Sequence, residues 1–187
     1  MGQDLTDTLC TRCGLCCDGS LFADVELESA VEISSLEILG LDVEEGDGKA
    51  GLLSQPCRAL VGRRCGIYAH RPKCCRTFEC ALLQNVRTGA VTVAQAHSHI
   101  AQAFSAIRRV RTLLNQLGEG DSQLPLAERC AEALAKDMGS APGMKRKQTQ
   151  LESAMTRLQD HLQRTFLGRE ATALYTISPG ASVARVK

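Results

Sequence analysis

Four thiols fall within eight residues near the start of the chain, at Cys10, Cys13, Cys16 and Cys17. A two-residue spacing lets a tight turn aim two sulfurs at one ion, with the intervening backbone N–H groups stabilising the thiolate charge. A C-x2-C-x2-C run suits a polynuclear iron cluster, whereas two separate C-x2-C pairs suit zinc, so the spacing leans to iron. Neighbouring side chains diverge. Both Cys16 and Cys17 on one mononuclear ion would strain the loop, and one of them is expected to face elsewhere. A second group follows at Cys57, Cys65, Cys75 and Cys80. With Cys74 set aside, the two groups give eight thiols, enough for two four-sulfur sites, one cluster plus one zinc, or one shared multinuclear site. The expected cofactor is an iron-sulfur cluster or zinc.

Ten cysteines, nine of them in the first 80 residues, ask which redox compartment holds the chain. No run approaches the roughly 18 to 20 apolar residues that span a bilayer. The start, Met1 to Asp7, has no basic n-region followed by an apolar signal core. The expected location is the cytoplasm, where disulfides rarely persist and dense cysteines are read as metal-binding or catalytic. A net charge of +1 gives no polyanion signal, so neither a nucleic-acid nor a membrane partner is expected. The charge is uneven all the same. Residues 1–55 carry two basic and twelve acidic groups, and residues 56–87 carry seven and one. A centre held by four thiolates is a net anion, which the basic segment would offset. Arg71 and Arg76 flank Cys75 and are expected to donate hydrogen bonds toward the thiolates. Arg63 and Arg64, at a turn tip, are expected to be solvated.

Read together, Cys10-Thr-Arg-Cys13-Gly14-Leu-Cys16-Cys17, Pro56-Cys57-x-x-Leu60 and Cys65-x-Ile67-Tyr68-x-x-Arg71-Pro72-x-x-Cys75-Arg76-x-Phe78 resemble the YkgJ-type cysteine-cluster family. That family is a zinc- or iron-chelating domain, often called an iron-sulfur protein, with a related module in flagellin lysine N-methylases. The resemblance covers about residues 10 to 80. It implies metal ligation by Cys10, Cys13, Cys16, Cys17, Cys57, Cys65 and Cys75, and it puts Cys74 at a variable position of the Arg-Pro-x-x-Cys-Arg motif. Cys130 lies outside the pattern. Beside Leu126 and Leu134 on a helix face, it reads as a buried, inert thiol.

The elements that must position these thiols suggest a mainly α protein: an irregular Cys-rich metal-binding module in a small α+β N-terminal region, and a C-terminal three-helix bundle. The domains expected are the metal-binding module over 1–88, the bundle over 89–168, and a tail over 169–187 without a period, of the kind that stays disordered. Cys10 to Cys17 reads as a ligand-wrapping loop. Phe22 to Leu27 alternates as a strand, Ser29 and Glu32 form a capping box for a helix ending before Gly40, and Glu44 to Gly51 is a turn-rich break. From Pro56 to Cys80 the chain breaks into short pieces, with a Gly62-Arg63-Arg64 turn and too few apolar residues for a core. Metal-thiolate bonds are the usual substitute.

Beyond residue 90 the period becomes helical. A Thr92/Gln95 capping box opens a long helix carrying Ile100, Phe104, Ile107, Arg111, Leu114 and Leu117. Pro125 starts a second, with Leu126, Cys130 and Leu134 on one face. After an exposed linker, Ser140 to Lys147, Thr149 and Glu152 cap a third with Leu151, Met155, Leu158, Leu162 and Phe166 in one stripe. His97 and His99 stand about 200° apart on a helix, too far round to share an ion, and read as surface histidines.

Phosphate-loop, dinucleotide, His-Glu-x-x-His and Gly-x-Ser-x-Gly signatures are all absent, which leaves familiar nucleotide and hydrolase chemistry unsupported. The reading is a metalloprotein acting in metal storage, electron transfer or recruitment of a protein partner through its helical half, and the chain does not choose among these. The alternatives are an iron-dependent or redox enzyme of methylase type, and a thiol redox sensor using Cys16-Cys17 or Cys74-Cys75.

Overall fold

The computed structural model describes residues 3–45, 51–136, 142–168 and 185–186. The protein is mainly α, with a small α+β region in its N-terminal part. It divides into two compact units, one of Met1–Glu79 with Gln123–Pro125 and Ala184–Lys187, the other of Cys80–Ser122 with Leu126–Val183. Among the described residues no helix is long and apolar enough to cross a membrane.

The first unit opens with α1 (Gln3–Cys13), where the sequence suggests a loop around Cys10 and Cys13. The C-x2-C spacing explains the difference: it is an i, i+3 spacing, as natural to a helix as to a ligand loop. A four-stranded sheet follows in the order β2-β3-β1-β6, from β1 (Asp24–Leu27), β2 (Glu44–Glu45), β3 (Gly51–Ser54) and β6 (Arg185–Val186). β1 pairs antiparallel with β3, and its parallel partner is β6. The expected strand thus forms, two residues shorter at its start. The ends of the expected turn-rich break at 44–51 are paired strands, because Glu44 and Glu45 find Leu52 and Gly51 opposite them. Residues 46–50, between them, lie outside the described residues, as does most of the expected tail. Gly51 serves packing: a Cβ there would stand 2.8 Å from the Ile33 side chain and 2.9 Å from Val43.

Between strands, α2 (Ala30–Ile38) begins as the capping signal suggests, with the Ser29 hydroxyl accepting from Glu32 N–H. The core of this unit comes from residues 9–53, with Leu15, Leu21, Phe22, Val25, Leu27 and Leu36 buried. Residues 56–79 contribute little to it. They form the hairpin β4 (Leu60–Val61) and β5 (Arg64–Cys65), a 3₁₀ turn at Tyr68–His70 and the short α3 (Lys73–Thr77), and bury only Cys57, Pro72 and Cys74.

The second unit is helical: α4 (Ala81–Arg87), α5 (Val93–Gln116), α6 (Leu126–Ala135) and α7 (Pro142–Leu162), the last continued by a wider turn at Gln163–Leu167. The capping box at Thr92 and Gln95 is present. α5 and α7 run antiparallel, as two contacts at opposite ends show: Lys147 Nζ donates to Gln116 O at 3.5 Å, and His161 Nε2 lies 3.2 Å from His99 O. α7 starts seven residues ahead of Thr149, so the expected linker at 140–147 is largely helix. Pro142 sits in the first turn, where its missing N–H costs nothing. Thr149, inside the helix, donates its hydroxyl back to Lys145 O. The stripe from Leu151 to Phe166 is buried as expected. On α5 and α6 the buried faces are rotated slightly: Phe104, Arg111 and Leu134 are half-buried, while Val110, Leu113, Arg129 and Ala133 are inside. Arg129 is paired with buried Glu119 at 3.3 Å, and Gln148 of α7 donates to the carbonyls of Ala133 and Lys136 that end α6.

Candidate metal centre

Cys10 and Cys13 lie three residues apart near the end of α1, on one face of the helix, and α1 packs against β5, the strand that carries Cys65. Gly14 ends the helix at φ 70°, a conformation that favours glycine. It is doubly required, since a Cβ at that position would stand 3.0 Å from Arg63 O at the hairpin tip. Cys17 N–H then bonds Gly14 O at 3.0 Å, closing a turn. That turn brings the Cys16 and Cys17 thiols into hydrogen-bond contact, against the expectation that one faces away, because divergence of neighbours holds for extended backbone and not for a tight turn. The Cys17 contact, and burial after it, push the Cys16 thiol well above its usual range.

Cys57 is fixed by its main chain. Its N–H is shared between Cys17 O at 2.9 Å and the Oε1 of Gln55 at 3.0 Å, and Gln55 is itself buried. The β4–β5 hairpin, with Leu60 opposite Cys65, folds Cys65 back until it raises the Cys57 pKa. Burial is the larger cause of that rise.

α3 brings the last pair. Glu32 of α2 accepts from Lys73 N–H at 2.7 Å through one carboxylate oxygen and from Glu28 N–H at 3.0 Å through the other, while Lys73 Nζ reaches Glu28 at 2.7 Å. The Arg71 guanidinium lies 3.7 Å over the Tyr68 ring and donates to Tyr68 O and Cys75 O. Arg76 donates to Arg71 O at 3.0 Å. The hydrogen bonds of both arginines therefore end on carbonyl oxygens and brace the turn into α3. Cys74 is buried and its thiol is hydrogen-bonded to that of Cys75. This contact, burial, and the neighbouring thiols of Cys74, Cys17 and Cys16 drive the Cys75 pKa up, while the same contact lowers that of Cys74.

Cys80 stands at the N-cap of α4, in the second unit, and Cys130 is fully buried in α6, as its helix-face pattern suggests. No disulfide joins any of the ten cysteines. A family model described as "CxxCxxCC: Putative zinc- or iron-chelating domain" matches residues 9–102. The chain belongs to the CxxCxxCC family. Searches of curated proteins and of solved structures found no match. The CxxCxxCC match runs past the 10–80 stretch of the sequence resemblance, through α4 and into α5.

The donor chemistry of this CxxCxxCC chain fits zinc or iron, since clustered thiolates are the soft ligands both metals take. Among the described residues no group of three or more His, Cys, Asp or Glu side chains is arranged to hold an ion. The neighbouring thiol, and burial after it, raise the pKa of Cys16 and of Cys75 and disfavour their ionisation. A cation among them reverses that preference, and thiol sites commonly reach their final geometry only as the metal binds. His97 and His99 are half-buried on α5, and the ring of His99 faces that of His161 at 6.0 Å, in the helical unit. Sequence reasoning missed α4, too short to show a period, and the parts of Glu32 and Gln55 in holding α3 and Cys57.

Proposed function

We propose that this is a metal-binding protein of the YkgJ type, which holds zinc or an iron-sulfur centre through clustered cysteines in a reducing cytoplasmic setting. The observation that carries the reading is the convergence of thiols from three separated stretches, Cys16 and Cys17, Cys57 and Cys65, and Cys74 and Cys75, the last two stretches belonging to a segment, 56–79, that buries almost no apolar side chain of its own. Bound zinc would supply a closed structural site, and bound iron with sulfide a redox centre. The chain's own part is to gather the thiols: Gly14 sets the turn, Gln55 holds Cys57, and Glu32 with Arg71 seats α3.

The redox-sensor alternative draws on the Cys74–Cys75 contact. Adjacent residues have Cα atoms about 3.8 Å apart, under the roughly 4.4 to 6.8 Å of relaxed disulfides, so a bridge within α3 would be strained. The deciding experiment is metal and acid-labile sulfide analysis, with an absorption spectrum, on protein purified without oxygen. Bound zinc, or iron with sulfide and a brown chromophore, is the expected result. A folded, metal-free protein with every thiol titratable and sensitive to peroxide would overturn metal binding in favour of the sensor.

A further inference from the structure

The two edges of β1 are held unequally. On one side β3 matches all four of its residues, with Val25 opposite Leu53 and Leu27 opposite Gly51. One residue earlier, Gln55 N–H bonds Ala23 O at 2.8 Å, which makes Ala23 and Gln55 a bonded pair. Bonded and non-bonded pairs alternate along an antiparallel ladder, so Val25 and Leu27 likewise turn their N–H and C=O groups toward β3. Asp24 and Glu26 turn theirs the other way, to the outer edge.

On that outer edge lies β6, parallel to β1, with Arg185 opposite Asp24 and Val186 opposite Val25. The bonds of a parallel ladder slant to the residues on either side of the one faced, so Val186 meets the main-chain groups of Asp24 and Glu26. Those are the two residues whose groups β3 leaves open. The phase of one ladder and the register of the other therefore agree, although they come from different strands. The register also sets a basic residue opposite an acidic one, Arg185 opposite Asp24. The hold is slight. β6 spans two residues where β3 spans four, it is the end strand of the sheet among the described residues, and it is remote from β1 in sequence, so few bonds oppose the entropy of a long loop. An edge with outward N–H and C=O groups is a template for an extended chain, which binds chiefly through its main chain. We infer that the outer edge of β1 is a strand-accepting site with the chain's own segment 184–187 as its reversible occupant. The ligand it takes is an extended main chain entering parallel to β1. The site adjoins the thiol-bearing segment, because α3, which carries Cys74 and Cys75, packs against β1.

The test compares the full chain with a chain ending at Val183 by residue-resolved amide exchange, both purified without oxygen. The Asp24 and Glu26 amides are expected to exchange roughly tenfold faster in the shorter chain, the effect of one lost hydrogen bond of ordinary net strength. The Val25 and Leu27 amides, bonded to β3, should keep their rates. A synthetic peptide of residues 180–187, added in excess to the shorter chain, should restore slow exchange at Asp24 and Glu26. The same peptide with Val186→Pro, which lacks the bonding N–H, should not. Unaltered exchange of Asp24 and Glu26 in the shorter chain overturns the site. Equal acceleration of all four amides makes the segment a fixed part of the fold and overturns its reversibility. Failure of the unmodified peptide to restore protection, or equal restoration by the proline peptide, overturns strand acceptance. Should the shorter chain not accumulate as folded protein, Val186→Pro in the full chain decides: faster exchange confined to Asp24 and Glu26 is expected, and wild-type rates overturn the inference. The readout does not depend on bound metal, so failure of the metal-binding reading leaves this one standing.

Discussion

Residues 56–79 and the α5–α7 pair are held together by different forces. In the helix pair, Ile107, Val110, Leu114, Leu151, Leu158 and Leu162 are all at most 2 % exposed. Each such side chain removed from water contributes about 1.5 to 3 kcal/mol, so the pair needs no other cement. In 56–79 the buried side chains are Cys57, Pro72 and Cys74, and the order rests on hydrogen bonds and ion pairs, among them main-chain bonds to Cys17 O, Gln55 and Glu32, the β4–β5 hairpin and the Arg71 bonds to carbonyls. The difference teaches where a ligand's binding energy is needed: the segment that carries Cys57, Cys65, Cys74 and Cys75 is the one without a core of its own.

Metal removal should break the comparison most visibly. Structural zinc in small finger peptides contributes on the order of 10 to 16 kcal/mol near pH 7, all of it folding free energy. Chelation is expected to abolish amide-exchange protection across 56–79 and to leave α5 and α7 protected, as segment-resolved hydrogen exchange would record. Continued protection of 56–79 would mean that its hydrogen bonds suffice. Leu158→Ala should act in the opposite sense, lowering the denaturation free energy of the helical unit by about 2 to 5 kcal/mol with metal content unchanged. Gly14→Ala should cost about 1 to 3 kcal/mol and weaken metal retention, because it combines positive φ with a clash against Arg63 O. Metal retention equal to wild type would show that the turn is not needed to gather the thiols.

Two smaller effects sharpen the contrast. Burial pushes the Cys130 thiol up to about 12 from the usual 9.0. The folded state therefore keeps a proton that the unfolded chain gives up, so the stability it adds is full below about 9 and falls as pH rises toward 12. Cys130→Ala should flatten that alkaline loss without changing metal content; an unchanged slope in alkaline denaturation would place its source elsewhere. Glu32→Ala should cost about 1.5 to 3 kcal/mol, the scale of a lost hydrogen bond to a carboxylate, and should lower metal affinity slightly in a competition assay. Unaltered affinity would detach the seating of α3 from the metal.

The same division governs what the sequence reveals. The α5 capping box and the Leu151-to-Phe166 stripe are local patterns with a full helical period, and both are found as expected. The start of α7 was hidden because Pro142, Gly143 and three basic residues carry linker signals that a first helical turn also tolerates. α1 was hidden because i, i+3 spacing serves helix and ligand loop alike. The identity of the thiol-bearing segments was legible from cysteine spacing. Their pairing was not, since Cys16 with Cys17 depends on a turn closed by Gly14, and Cys75 with Cys17 depends on a helix seated by Glu32.

Glu32 accepts one hydrogen bond from a residue four places behind it and another from Lys73, 41 places ahead. Bringing the ends of such a stretch together costs on the order of 3 kcal/mol of chain entropy before any constant is added. A hydrogen bond to a carboxylate returns about 1.5 to 3 kcal/mol. The two nearly cancel, so Glu32 alone does not seat α3, and the Lys73–Glu28 pair and the Arg71 bonds to Tyr68 O and Cys75 O share the task. On the ribosome, Cys16, Cys17 and Glu32 emerge before Lys73, so the acceptor that seats α3 and two of the thiols are already present when this five-residue helix arrives.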